Sequence, residues 1–252
     1  MDDESNIKGI ITGESYDAVL FDLDGVLTDT ARIHAASWKA AFDDFLKRRT
    51  SDGDETFSPF DIERDYELYV DGKLRYDGVK SFLESRNIHL PHGTPDSPPG
   101  YETICALGNL KQKLVLDTLK REGVDVYEGS IALVRQLREK GILTAVVSAS
   151  KSCRAVLTAT GIEDLFDTRV DGEVAASLNL RGKPAPDTYL KAAELLGVEP
   201  ERAVVIEDAI SGVKAGRDGG FGLVIGVARR RNEEQLKKNG ADIVVSDLSE
   251  LI

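Results

Sequence analysis

The chain has 252 residues, 41% of them apolar, and a formal net charge of −12. That is enough chain for one large domain or a domain carrying an insertion. The acidity sets aside a general nucleic-acid binder, which carries the opposite charge balance. No apolar run approaches bilayer-spanning length, so no membrane segment is expected.

The start, MDDESNIKG, is acidic, lacks a basic n-region and reads as a frayed tail. The two cysteines, Cys105 and Cys153, form no CxxC pair, which fits a reducing, cytoplasmic setting. Residues 18–30, AVLFDLDGVLTDT, are the stretch around which the rest of the chain is organised. Ala18 to Phe21 predict a short buried strand that runs directly into Asp22 and Asp24. Two carboxylates at a buried strand end cost desolvation free energy, which a cation between them would offset. Gly25 lets the chain turn after them.

Apolar residues from Ile33 to Phe45 recur at helical spacing and predict a helix over 31–47. Residues 50–60 read as a polar loop, and 61–87 as two short helices joined by VDGKLRYDG. Residues 88–100, with half of the chain's prolines, predict a stiff surface loop. A helix is expected over 101–121. From Val126 strands alternate with helices: strands near 143–148, 168–172 and 203–208 precede two more, GLVIGV and DIVVSD. This alternation predicts an α/β fold, a doubly wound (Rossmann-like) parallel sheet with an inserted α-helical cap domain. The core would comprise 1–30 and 126–252, and the cap 31–125.

Three other segments carry polar groups to the crevice at the carboxyl ends of such a sheet. VVSAS ends a strand in Ser148, VVIED ends one in Glu207 and Asp208, and RGKPAPD presents Lys183 between restricted backbone positions. A hydroxyl, an ammonium and four carboxylates together suit phosphoryl transfer with Mg²⁺, an ion that takes oxygen ligands. Asp22 would attack phosphorus and Asp24 would move a proton. Asp22, Asp208 and the Asp24 main-chain carbonyl would hold the metal, with Glu207 acting through water or orienting the shell. Ser148 would donate to a phosphoryl oxygen and Lys183 would neutralise charge.

FDLDGVLTDT, SAS, GKPAPD and IEDAISGV resemble, in order, the four motifs of the haloacid dehalogenase superfamily. The resemblance implies an aspartyl phosphate on Asp22 and general acid–base work by Asp24. The finer resemblance is to the β-phosphoglucomutase group, which implies exchange of phosphate between the C1 and C6 oxygens of glucose. On that resemblance the substrate contacts fall on His34, Trp38, Gly72, Arg75 and Lys111 of the cap, and on Ser148, Ala149, Ser150 and Lys151 of the core. Arg75 and Lys111 would hold the phosphate that is not reacting. Residues 47–68 and 88–104 are longer than in compact mutases, which points to a remodelled cap. The partner expected is a small phosphorylated sugar, with no nucleic acid, no membrane and a monomeric chain. A sugar-phosphate phosphatase and a silent phosphosugar-binding protein are the alternatives.

Overall fold

A computed structural model describes residues 7–51, 58–229 and 232–252. The first six residues of the expected tail, and 52–57 of the expected loop 50–60, lie outside the described residues. Of the expected tail, residues 7–9 are described, and the chain from Gly9 onward is tied down. The Gly9 N–H donates to the Leu251 carbonyl at 3.0 Å, and the Arg202 guanidinium grips Asp17 with two N–H groups.

The chain divides into two compact units. One ends at Asp29 and resumes at Asp125; the other runs Thr30–Val124. These crossings fall one residue before the expected ones. The reason is local: the Asp29 N–H donates to the Asp125 carbonyl at 2.9 Å, so both residues belong to the first unit.

Strand β1 (Ala18–Phe21) opens the first unit. The helical unit then supplies α1 (Ala31–Ser51), a single π-turn (Tyr66–Val70), α2 (Arg75–Ser85) and α3 (Ile104–Glu122). The first unit resumes with α4 (Glu128–Glu139), β2 (Leu143–Val147), α5 (Cys153–Thr160), β3 (Thr168–Val170), α6 (Gly172–Ser177) and α7 (Asp187–Leu196). It closes with β4 (Ala203–Glu207), α8 (Ile210–Asp218), β5 (Leu223–Val227), α9 (Glu233–Lys238) and β6 (Ile243–Val245).

The six strands form one parallel sheet in the order β3-β2-β1-β4-β5-β6. Strands β1 and β4 are buried throughout, as parallel strands covered on both faces require. Side chains alternate along a strand, so Ala18 and Leu20 share a face with Ala203 and Val205. That face packs on Tyr189, Ala192 and Ala193 of α7 and on Val213 of α8. Helix α4 buries Ile131, Val134 and Leu137 at one-turn spacing. Helix α6 has no counterpart among the expected elements, because six residues are too few to show a period. Its first turn is held by the Asp171 carboxylate, which accepts from the Glu173 and Val174 N–H groups.

The helical unit has its own aromatic core. Trp38 stacks on Phe42 with ring centroids 5.0 Å apart, and Phe42 meets Phe82 at 4.1 Å and Phe60 at 5.3 Å. The break expected over VDGKLRYDG is shorter than the sequence suggests. Gly72 takes a left-handed turn (φ +68°), and helix resumes at Arg75. Residues 88–100 stay non-helical and satisfy the start of α3: the Pro91 and His92 carbonyls accept from the Ile104 and Cys105 N–H groups at 3.0 Å. No described helix is long and apolar enough to cross a membrane. Cys105 and Cys153 are buried thiols.

Candidate active site

Strand register decides which side chains meet. Phe21 is level with Val146 of β2 and Ile206 of β4. The next residues, Asp22, Val147 and Glu207, therefore stand side by side, and Asp22 continues the ladder through its N–H to the Ile206 carbonyl at 3.0 Å. The central strand thus delivers Asp22 to the carboxyl edge of the sheet, where connections to either side diverge and leave a crevice.

Lys183 enters this point from the loop before α7. Its Nζ donates to Asp22 Oδ1 at 2.6 Å, to the Val147 carbonyl at 3.0 Å, and to Glu207 Oε1. Tyr189 lies below it: the ammonium is 4.8 Å from the ring centroid, and the hydroxyl donates to Glu207 Oε1 at 3.0 Å. The Ala209 N–H donates to Glu207 Oε2 at 3.0 Å. Glu207 is thus held at both oxygens by protein donors, as an orienting group would be.

Asp22, Glu207 and Asp208 each offer a carboxylate oxygen within 4.8 Å of one another, and all three are buried. With half-buried Asp24 close to Asp22, four carboxylates gather near the Lys183 ammonium, leaving an excess of negative charge, most of it buried. Burial pushes the Asp22 carboxyl well above its ordinary value despite Lys183, and the charges of Glu207 and Asp24 add to the rise. Burial works against the Lys183 ammonium, yet Asp22 and Glu207 outweigh it and hold it protonated. An all-oxygen donor set with surplus negative charge fits a hard divalent cation.

Two glycines make room for these carboxylates. Gly25 has φ +90°, and a Cβ there would lie 2.1 Å from Asp208 Oδ2, so both backbone and space require glycine. A Cβ on Gly212 of α8 would lie 1.8 Å from Glu207 Oε1. Gly212→Ala is therefore expected to lower stability by about 2–3 kcal/mol through overpacking and to lower activity by displacing Glu207. Urea unfolding and steady-state rates on the same preparation check this.

The Asp22–Thr28 turn is closed by Gly25 N–H to the Thr28 carbonyl at 2.8 Å, and by the Leu27 and Thr28 N–H groups to the Leu23 carbonyl at 3.0 Å. Arg229 braces it from outside, donating from Nε to the Gly25 carbonyl at 3.1 Å and from Nη1 to Asp247 Oδ2 at 3.0 Å. Its guanidinium lies 3.7 Å from the Tyr127 ring centroid. Ser148 Oγ is 3.4 Å from Asp24 Oδ2 and accepts from the Ser150 N–H at 3.0 Å. Ser150 Oγ in turn accepts from the Ser152 N–H at 3.1 Å. Ala149 and Lys151 line the same turn, which passes so close to Gly172 that a Cβ there would lie 2.6 Å from the Ala149 carbonyl.

The structure thus brings Asp22, Asp24, Ser148, Lys183, Glu207 and Asp208 to one sheet edge. It adds Tyr189, Gly212 and Arg229, which sequence reasoning does not single out. Gly212 sits inside the IEDAISGV stretch, so its position carries a signal; Tyr189 and Arg229 show themselves only through contacts made in three dimensions.

The remaining candidates belong to the helical unit. His34 Nδ1 and Lys111 Nζ are 2.9 Å apart, and the Lys111 ammonium lies 4.7 Å from the Trp38 ring centroid. Trp38 is a core residue, 3% exposed, and its ring backs Lys111. Gly72 forms the turn before α2, and Arg75 is the first residue of that helix. Arg75 Nη1 donates to Asn109 Oδ1 at 3.0 Å.

Residues 16–220 match the haloacid dehalogenase-like hydrolase family. β-Phosphoglucomutases of Mycobacterium bovis and Mycobacterium tuberculosis are each 48% identical to the chain over 242 residues, which is 95% of this chain and 92% of the relative. In three dimensions the chain is similar to the crystal structure of β-phosphoglucomutase from Clostridium difficile, with a TM-score of 0.72 and 27% identity, covering 94% of this chain and 93% of that one. The parallel sheet, the carboxylate-bearing end of its central strand and these likenesses lead to one assignment: the chain belongs to the haloacid dehalogenase-like hydrolases.

Proposed function

We propose that the protein is a Mg²⁺-dependent β-phosphoglucomutase that interconverts β-D-glucose 1-phosphate and glucose 6-phosphate. The observation that carries this reading is the pairing of a buried carboxylate, Asp22, held by Lys183, with a second carboxylate two residues on, Asp24, beside the Ser148 hydroxyl. The 48% identity to two β-phosphoglucomutases over nearly the whole chain supports the substrate.

Asp22, Asp208 and the Asp24 carbonyl would hold Mg²⁺, with Glu207 orienting the shell. When bound, the ion supplies charge neutralisation at the phosphoryl oxygens. The chain's own groups do the rest. A phosphorylated Asp22 gives its phosphoryl group to a sugar hydroxyl. Asp24 takes the hydroxyl proton as the bond from phosphorus to Asp22 oxygen breaks and the bond to sugar oxygen forms. In the reverse half, the Asp22 oxygen attacks the other phosphate, and Asp24 returns its proton to the departing sugar oxygen. Lys183 keeps charge balanced at Asp22 throughout, and Ser148 donates to a phosphoryl oxygen. On the helical unit, Arg75 takes the phosphate that is not reacting, with Lys111 and His34 as further donors to the sugar phosphate.

The test supplies β-glucose 1-phosphate, Mg²⁺ and a trace of glucose 1,6-bisphosphate, and tracks phosphorus by NMR. Glucose 6-phosphate is expected as the main product. Free phosphate accumulating without glucose 6-phosphate would replace the mutase with a phosphatase on the same scaffold, and no turnover with intact binding would leave a phosphosugar-binding protein.

A further inference from the structure

Asn109 of α3 stands at the centre of a network inside the helical unit. Its Oδ1 accepts from Arg75 Nη1 at 3.0 Å and from the Tyr76 hydroxyl at 2.9 Å. Its Nδ2 donates to the Pro95 carbonyl at 3.0 Å and to the Ser97 carbonyl at 2.8 Å. The amide therefore uses two donors and two acceptor positions at once, and this fixes its orientation. The two carbonyls belong to a tight turn in the proline-containing segment, closed by the Ser97 N–H to the Thr94 carbonyl at 2.9 Å. Gly108 provides the space. A Cβ there would lie 2.9 Å from the Tyr76 ring and 3.3 Å from Arg75 Cδ, so only glycine lets these side chains lie across α3.

We propose that Asn109 is a positioning residue that sets Arg75 for the substrate's non-reacting phosphate, using the proline-containing loop over 91–100 as its anchor. This rests on the role given to Arg75 above. A neutral amide is a suitable acceptor for that task. It aims the guanidinium through one of the five N–H groups of that side chain and contributes no negative charge to compete with a phosphate. A carboxylate in its place would hold the same N–H group but would draw the guanidinium toward itself. The loop fixes the amide from behind, so the conformation of this segment sets the orientation of the Arg75 guanidinium.

A double-mutant cycle on the full chain tests this, reading KM and kcat for β-glucose 1-phosphate. Arg75→Ala should raise KM by roughly tenfold or more, as loss of a charged hydrogen-bonding partner does. Asn109→Ala should raise KM about three- to tenfold, with a smaller change in kcat, but by less than about twofold when Arg75 is already alanine. Asn109→Asp keeps the acceptor and should raise KM further than Asn109→Ala; it also carries the test if the alanine variant does not fold. Equal effects of Asn109→Ala in both backgrounds, or a KM for Asn109→Asp at or below that of the parent chain, would overturn the positioning role alone. An unchanged KM in Arg75→Ala would overturn the assignment of Arg75 and this inference with it.

Discussion

Asp22→Asn should abolish turnover while leaving the protein, in chelator, at least as stable as the parent chain. The kinetic half comes from chemistry. An amide oxygen cannot form an aspartyl phosphate, and losing a covalent nucleophile costs on the order of 10⁴-fold or more in kcat. The stability half comes from the site. Asp22 is buried with Glu207 beside it, and burial together with those neighbouring charges raises its carboxyl well above the ordinary value. A neutral amide of the same shape removes a like charge from a crowded, desolvated cluster and still offers an oxygen to Lys183 Nζ. Such a gain of stability on loss of function is what a site held under electrostatic tension produces. Melting curves in chelator and in Mg²⁺ make the comparison. The parent chain should gain about 2.7 kcal/mol at a hundredfold excess of Mg²⁺ over its Kd, and the variant should gain much less. Substantial turnover in Asp22→Asn, or marked destabilisation in chelator, would remove Asp22 from the role given to it.

Lys183→Met should produce the opposite pairing, with loss of activity and loss of stability together. Methionine keeps the length of the stem but leaves Asp22 and Glu207 without the ammonium that both now share. Breaking a buried ion pair at one partner costs about 3–5 kcal/mol. The deficit should depend on pH in a stated direction. A carboxyl whose value in the folded chain lies above its unfolded value, 3.8 for Asp22, favours folding in its protonated form. That contribution is complete below the unfolded value and is lost as pH rises through the folded one. Removing the ammonium raises the folded value further. The variant should therefore lose stability steadily as pH is raised from acid into the neutral range, more steeply than the parent chain. Urea midpoints measured in chelator across that range provide the check. A flat profile would mean that Lys183 does not balance the charge of this site.

How much of this is open to a reader of the chain alone depends on the range of each interaction. The apolar runs ending in Asp22, Ser148 and Glu207-Asp208 are local patterns, and a parallel sheet carries every strand end to one edge. The convergence of these residues is therefore a consequence of the alternation of strands and helices. The motif stretches likewise place Lys183 near them. What composition and periodicity cannot supply is the pairing itself. Lys183 and Asp22 are separated by 161 positions, and their contact depends on the register of β1 against β2 and β4.

The same holds for Tyr189 beneath Lys183, for Arg229 against the Gly25 carbonyl, and for the space at Gly212 that Glu207 occupies. In the helical unit, the family resemblance suggests Arg75 as a phosphate ligand and the prolines suggest a stiff loop over 88–100, but neither offers a link between them. Asn109 supplies that link from a third segment, through hydrogen bonds spanning 34, 14 and 12 positions. Short-range regularities are written in the order of residues. The charge balance of a buried site and the aim of a side chain belong to packing, because they depend on which groups exclude water around which others.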